Sequence, residues 1–141
     1  MLSYTYRVWF TLTALTCAFC PAAFAQSPDA EVAAYAVNAP ISGLPAVPYS
    51  QWTPAQRLST FGKVRGFCQF LCVDKYETAS FPKKAAVDRA AAVAKVCLEA
   101  CIVGHLPADY PQIADLKQEL HKDFDKAKQL GAGLSWPLPG K

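Results

Sequence analysis

A chain of 141 residues with 52% hydrophobic residues and a net charge of +3 is long enough for one small domain. Its near balance of charge, with no basic run longer than Lys83-Lys84, excludes the strongly basic surface of a typical nucleic-acid-binding protein. A domain of this size buries a modest core and often needs covalent help, which six cysteines could supply.

The first 25 residues have the pattern of a secretory signal peptide. Arg7 precedes an apolar run from Val8 to Phe19, and Ala23-Phe24-Ala25 then offers small residues at a cleavage site. The run is about 12 residues long, shorter than the ~20 needed to cross a bilayer, which disfavours the alternative of a membrane anchor. Such a signal would direct export, and cleavage after Ala25 would remove Cys17 and Cys20 and leave four cysteines, an even number that indicates disulfides in an oxidising compartment.

Residues 26–52 are predicted to form an extended N-terminal arm. Prolines recur from Ala39 to Tyr49 and prevent a regular helix there. The arm is nevertheless rich in apolar and aromatic side chains, which we expect to contact either a partner or the chain's own core. The candidate partner contacts in this arm are Tyr35, Ile41, Leu44, Tyr49 and Trp52.

The helical domain is predicted over residues 53–130, and its first helix begins at Pro54. Thr53 is a typical N-cap, and Gln56 completes a T-x-x-Q capping box. We expect this helix to end near Lys75 to Thr78. Its apolar positions at helical spacing are Leu58, Phe61, Val64, Cys68, Leu71 and Cys72, with Phe67 and Phe70 beside them.

The second helix is predicted over Lys83 to Leu106, with Ser80 or Phe81 as its cap and Gly104 as its stop. Its many alanines favour a helix and allow a neighbouring helix to approach closely. The preceding connection, Tyr76 to Phe81, is expected to run along this helix. The apolar stripe of the helix consists of Ala86, Ala90, Val93, Val96, Cys97, Ala100 and Cys101.

The third helix is predicted to begin after the cap Asp109 and to end at Gly131. Its apolar stripe consists of Ile113, Leu116, Leu120, Phe124 and Ala127 or Leu130. Residues 131–141 form a second extended arm, in which Trp136 is a further candidate partner contact. No alternating strand pattern occurs, so the predicted class is all-α, a helical hairpin with a third helix.

Two cysteine pairs, Cys68-x-x-x-Cys72 and Cys97-x-x-x-Cys101, form the strongest motif. Residues four apart on a helix have Cβ atoms ~5–6 Å apart, wider than the ~3.5–4.5 Å of a disulfide, so each bond should join two helices. Opposed positions in an antiparallel hairpin have a constant sum. Pairing Cys68 with Cys101 and Cys72 with Cys97 satisfies this condition, whereas the alternative, Cys68–Cys97 with Cys72–Cys101, crosses the bonds.

These four cysteines resemble the twin CX3C arrangement of disulfide-bonded helical hairpins, which include small chaperones of the mitochondrial intermembrane space and plant α-hairpinins. The resemblance covers about 35 residues and implies two stapled helices in a protein that binds other proteins. By size, export and lack of cofactor motifs, the chain is also similar to the small third subunit of periplasmic quinohaemoprotein alcohol dehydrogenases. That similarity implies docking on a respiratory complex.

The chain offers no catalytic motif, so we expect neither an enzyme nor a cofactor. Cys101-x-x-x-His105 lacks the spacing of a haem attachment site, and no C-x-x-C motif is present after the predicted signal peptide, which itself contains Cys17 and Cys20. His105 and His121 are expected at the surface rather than at a metal. An alternative is that the four thiols bind Cu(I) or Zn(II) instead of forming disulfides.

The sequence therefore predicts a non-catalytic accessory or structural subunit that is exported and binds a larger periplasmic or membrane-associated complex. A respiratory dehydrogenase is one such complex, and the subunit would lie peripherally on the outer face of the inner membrane, without a transmembrane span of its own after cleavage. The alternatives are a periplasmic chaperone or inhibitor that uses the hairpin face, and a thiol-based copper or zinc protein.

Overall fold

The computed structural model describes residues 35–74 and 83–134. Several of the predictions concern residues outside these ranges. They are the signal peptide, residues 26–34 of the arm, the end of the first helix, the connection from Tyr76 to Phe81, and Trp136.

The described residues form an all-α structure without strands, as predicted. A 3-10 turn precedes the first helix, and a π-helical turn continues it. Residues 35–38 are also helical. The elements are the 3-10 turn Tyr49–Gln51, α1 Pro54–Gln69, the π turn Phe70–Asp74, α2 Lys84–His105 and α3 Ile113–Gln129.

The start of α1 confirms the predicted capping box. The Thr53 hydroxyl accepts a hydrogen bond from the Gln56 backbone N–H at 3.2 Å, and the Gln56 side chain accepts one from the Thr53 N–H at 2.8 Å. These two bonds satisfy backbone donors that a helix leaves unpaired at its first turn. Both bonds join residues only three apart, which is why the local sequence could predict them.

Both predicted disulfides are present. Cys68 is bonded to Cys101 and Cys72 to Cys97, with Cα–Cα distances of 5.7 and 5.6 Å. Residue numbers rise along one helix as they fall along the other, so the two helices are antiparallel. The two disulfides, called the rungs below, join them at successive turns. The rungs hold α1 and its π turn against the C-terminal half of α2, while α3 packs against α2 as well.

The rungs also fix which side of α1 is buried. Thr60, Val64 and Cys68 are buried at intervals of four residues. Leu58 was predicted to belong to the buried stripe, and that prediction is wrong, because the residue is 85% exposed. It lies two positions before Thr60, which places it on the opposite side of the helix.

The predicted limits of α2 need two corrections. The N-cap residue is Lys83 rather than Ser80 or Phe81, and no side chain caps it. Gly104 does not end the helix, which continues to His105. Leu106 then adopts extended backbone, with φ −91° and ψ 145°, since it precedes Pro107 and a proline disfavours the helical region for the residue before it.

The N-terminus of α3 also differs from the prediction, whereas its C-terminus agrees. The N-cap residue is Gln112, not Asp109, because two consecutive turns occupy the intervening residues. At the other end, Gly131 has φ 74° and its N–H donates to the Lys128 carbonyl at 3.0 Å. The Ala132 N–H donates to the Ala127 carbonyl, which completes a Schellman motif.

The alanine face of α2 supplies a test of this packing. Ala100 is fully buried beside the rungs, so Ala100→Leu should overpack the interface and lower the free energy of unfolding by about 1–3 kcal/mol. Ala91→Leu is the control, because Ala91 is an exposed position of the same helix. Urea unfolding under non-reducing conditions measures both variants. Equal unfolding free energies for the two would contradict the placement of this face.

Candidate protein-binding surface

The described part of the N-terminal arm packs on the chain's own core. Ala36, Val37 and Ala39 are buried, and Ile41 and Leu44 are partly buried against the same core. At the other terminus, Ala132 and Leu134 are buried too. These residues therefore add to the core instead of standing away from it.

The six predicted partner contacts are consequently placed very differently from one another. Tyr35 is 59% exposed, whereas Trp52 is only 4% exposed. Ile41, Leu44 and Tyr49 are half-buried, and Trp136 lies outside the described residues. Trp52 thus belongs to the core of the chain, and Tyr35 is the one described member of the set that is exposed; a role for any of the six in binding a partner stays a prediction.

Asp109 fastens the arm to the connection between α2 and α3. Its carboxylate accepts hydrogen bonds from the backbone N–H groups of Tyr49, at 2.8 Å, and Ser50, at 3.1 Å. These two bonds hold the pKa of Asp109 below its ordinary value. The residue predicted to cap α3 therefore caps the 3-10 turn, 60 positions away in the chain.

Aromatic contacts surround these two hydrogen bonds from the arm to Asp109, which together are called the clamp. The centroid of the Tyr49 ring lies 5.3 Å from that of Trp52 and 5.2 Å from that of Tyr110. The Arg57 guanidinium lies 4.9 Å from the centroid of the Tyr49 ring. The indole N–H of Trp52 donates to the Val47 carbonyl at 2.9 Å. Every aromatic residue of this cluster thus contacts others of its own chain.

His105 makes a second attachment of the arm. It is half-buried, with its Nε2 atom 3.0 Å from the Ala36 carbonyl and its ring edge-on to Phe67. His105 is therefore only partly at the surface, whereas His121 is exposed as predicted. The partner of His105 is 69 positions away, so no local pattern could have indicated the contact.

Removal of the clamp should release the arm without unfolding the helices. In Asp109→Ala, amide exchange at Tyr49 and Ser50 should become faster, whereas exchange in the middle of α2 should not change. Asp125→Ala, which removes an exposed acid from α3, is the control. Hydrogen–deuterium exchange with mass spectrometry measures the difference. Unchanged exchange at both amides would show that Asp109 does not hold this turn.

A pair of carboxyl groups lies between α2 and α3. Lys95 Nζ is 2.8 Å from Asp123 and 3.8 Å from Glu99, whose side chain is 12% exposed. Burial, and then a hydrogen bond with Asp123, raise the pKa of Glu99 to about 8. Burial opposes ionisation of Asp123 as well, but hydrogen bonds with Lys95 and Glu99 hold its pKa below its ordinary value. The pKa values of the two carboxyl groups are thus shifted in opposite directions, which favours the protonated form of Glu99 and the ionised form of Asp123.

This pair makes stability depend on pH. Between the ordinary pKa of 4.5 and the folded pKa of about 8, the folded chain retains a proton on Glu99 that the unfolded chain has lost. The free energy of unfolding should therefore fall as pH rises across this window. Glu99→Gln should reduce this dependence, and Asp115→Asn, at an exposed position of α3, should keep it. Urea unfolding at several pH values tests this; equal slopes for both variants would contradict it.

The side of α1 that faces away from the rungs is uncovered by described residues. The outward row of α1 and the π turn that continues it consists of Leu58, Gly62, Gly66 and Phe70, each four residues from the next. Leu58 is 85% and Phe70 64% exposed. A Cβ atom built on Gly62 or Gly66 would have no described atom beyond the helix itself within 4 Å. The row is thus a shallow depression between two apolar side chains.

Nothing in the described fold requires these two glycines. Glycine inside a helix costs about 1 kcal/mol relative to alanine, and neither residue has the positive φ that would favour it. Close approach of another backbone is a second reason for glycine, and that approach does not occur within the described chain. The sequence contains this pattern, since Gly62 and Gly66 are four residues apart and Leu58 and Phe70 lie four residues before and after them. The sequence analysis missed it because Leu58 was assigned to the buried stripe of the helix.

The described residues contain no group of three or more histidine, cysteine, aspartate or glutamate side chains that could hold a metal ion. Across 35–74 and 83–134, no helix is both long enough and apolar enough to cross a bilayer. Models of protein families, curated proteins and solved structures were compared with the chain, and none matches it.

Proposed function

We propose that this protein is a non-catalytic accessory subunit, exported to an oxidising compartment such as the periplasm, that binds a larger protein complex. The observation that carries the proposal is the outward row of α1. Exposed apolar side chains at Leu58 and Phe70 are suited to a protein interface, and Gly62 and Gly66 leave room for a close approach.

The stapled fold supports a fixed mode of binding. Both disulfides fit an oxidising compartment and hold α1 in one orientation, so the row is presented without a further ordering cost. The described part of the N-terminal arm, which was the first candidate for docking, packs largely on the core. We therefore place the docking surface on α1, with Tyr35 as the remaining exposed candidate of the described arm.

The row favours a subunit over a chaperone or an inhibitor. Binding of many clients needs a broad apolar surface with adaptable side chains. The outward row is narrow and its centre is glycine backbone, which is better suited to one complementary partner. A membrane-bound respiratory dehydrogenase is one complex of this kind, proposed from the size of the chain, its predicted export and its lack of cofactor motifs.

The copper- or zinc-binding alternative depends on reduced thiols. All four described cysteines are in disulfides, so metal binding by their sulfur atoms would first require reduction. A thiol count on the denatured exported protein separates the two proposals. Four free thiols would favour the metal-binding protein, and none would favour the stapled subunit.

Substitution of the two exposed apolar side chains by serine tests the proposed function. In a native extract, the protein should elute from a sizing column within a larger assembly of fixed stoichiometry. Leu58→Ser with Phe70→Ser should weaken that assembly roughly tenfold or more while leaving the circular dichroism spectrum unchanged, because both side chains are exposed. Val87→Ser is the control, since Val87 is an exposed apolar residue of α2.

Elution of the unmodified protein as a monomer would contradict the proposal. So would an equal effect of the control variant, because the loss would then not be specific to α1.

A further inference from the structure

We infer that the occupant of the outward row is an α-helix of the partner protein that bears carboxylate side chains along its facing side. This inference rests on the proposed function and adds to it the kind of element that binds and its charge.

The shape of the row favours a helix as the occupant. Leu58 and Phe70 are twelve residues apart, which corresponds to about 18 Å along the helix axis, or roughly three turns. Between them, two glycines four residues apart allow the backbone of a second helix to come closer than ordinary side chains permit. A helix that crosses at the glycines would contact Leu58 on one side and Phe70 on the other.

The charge of α1 indicates an acidic partner. Pro54–Gln69 contains Arg57, Lys63 and Arg65 and no aspartate or glutamate, and the π turn that continues it adds one acid, Asp74, so the segment is still net positive. Arg57 is engaged with the arm, since its Nε donates to the Trp52 carbonyl. Arg65 lies three residues after Gly62, so it borders the depression, where it would face whatever occupies the row. Carboxylates are the groups that complement a guanidinium at such an edge.

The same charge argues against a second copy of this chain. Two copies that paired through this row would bring α1 against α1, with three cations and a single acid, Asp74, on each side, so both surfaces would be net positive. An anionic membrane would satisfy the charge, but a lipid surface is bound through bulky apolar side chains that insert. Glycine at the centre of the row supplies none.

Site-specific crosslinking in the native cell tests the identity of the occupant. A photoreactive phenylalanine analogue replaces Leu58 or Phe70 in the full chain, and it replaces Val87 in the control. Both α1 positions should crosslink to one helical segment of one partner protein, with acidic residues near the modified sites, and the Val87 position should not. Mass spectrometry of the linked peptides identifies the segment.

Three results of the crosslinking would overturn the inference. They are links to a second copy of the chain, links to lipid, and links to another segment of the same chain. Links to a partner segment that is not helical, or that lacks acids, would overturn this inference but leave the proposed function standing. If no partner is linked and the protein is monomeric, the proposed function fails as well.

Substitution of the glycines separates docking from folding. Gly62→Ala with Gly66→Ala should raise the melting temperature, because alanine favours the helix and meets no described neighbour, yet it should weaken the complex at least tenfold by filling the depression. Arg65→Glu should also weaken the complex, and Lys117→Glu, at an exposed position of α3, should not. A more stable variant that binds the partner as tightly as the parent would overturn the inference.

Discussion

The two disulfides set the orientation of α1, and the rest of the surface depends on that orientation. Cys68 and Cys72 are four residues apart on one side, and their partners are four residues apart on α2. Each bond closes a loop and stabilises the fold by up to ~2–4 kcal/mol, although the second contributes less because it closes little additional chain. Together they prevent α1 from rotating, which one bond alone would allow.

The buried and exposed rows of α1 follow from this constraint. Since the cysteines face α2, Thr60 and Val64 must also face inward. Residues offset by two positions lie on the opposite side, and these are Leu58, Gly62, Gly66 and Phe70. The exposure of Leu58 and the open space at the glycines are thus consequences of the rungs.

The connection between α2 and α3 has a comparable influence on the arm. Pro107 ends α2 through its effect on Leu106, and the turns that follow place the Asp109 carboxylate at the first N–H groups of the 3-10 turn. Tyr49 and Trp52 are thereby drawn into the aromatic cluster. A proline-rich segment that could have served a partner instead covers the core of its own chain.

Local patterns in the sequence predicted much of this fold. The capping box at Thr53, the Schellman motif at Gly131 and the pairing of the cysteines each depend on spacings within or between regular helices. The predictions failed where a distant residue decided the outcome. Asp109 was predicted to cap α3, but its carboxylate accepts a hydrogen bond from Tyr49 of the arm. His105 forms a hydrogen bond with the Ala36 carbonyl.

The candidate site was less predictable than the fold, for two different reasons. The proximity of Glu99 and Asp123 depends on how α2 and α3 are aligned, and no motif encodes that alignment. Leu58, by contrast, could have been placed correctly, because the cysteines already define the inward side of α1. The apolar character of Leu58 led to the wrong side, whereas the position of Cys68 indicated the right one.

Disulfide mapping of the protein purified from its native source tests this account most directly. The protein is denatured without reduction and cleaved between Cys68 and Cys72, after Phe70 or Leu71, and between Cys97 and Cys101, after Leu98 or Glu99. Both cuts are needed because peptides that retain two cysteines would have the same linked mass for either disulfide pairing. The account predicts peptides that join Cys68 to Cys101 and Cys72 to Cys97. Recovery of Cys68 joined to Cys97, of Cys68 joined to Cys72, or of free thiols would contradict it, because α1 would then not be held with its outward row exposed.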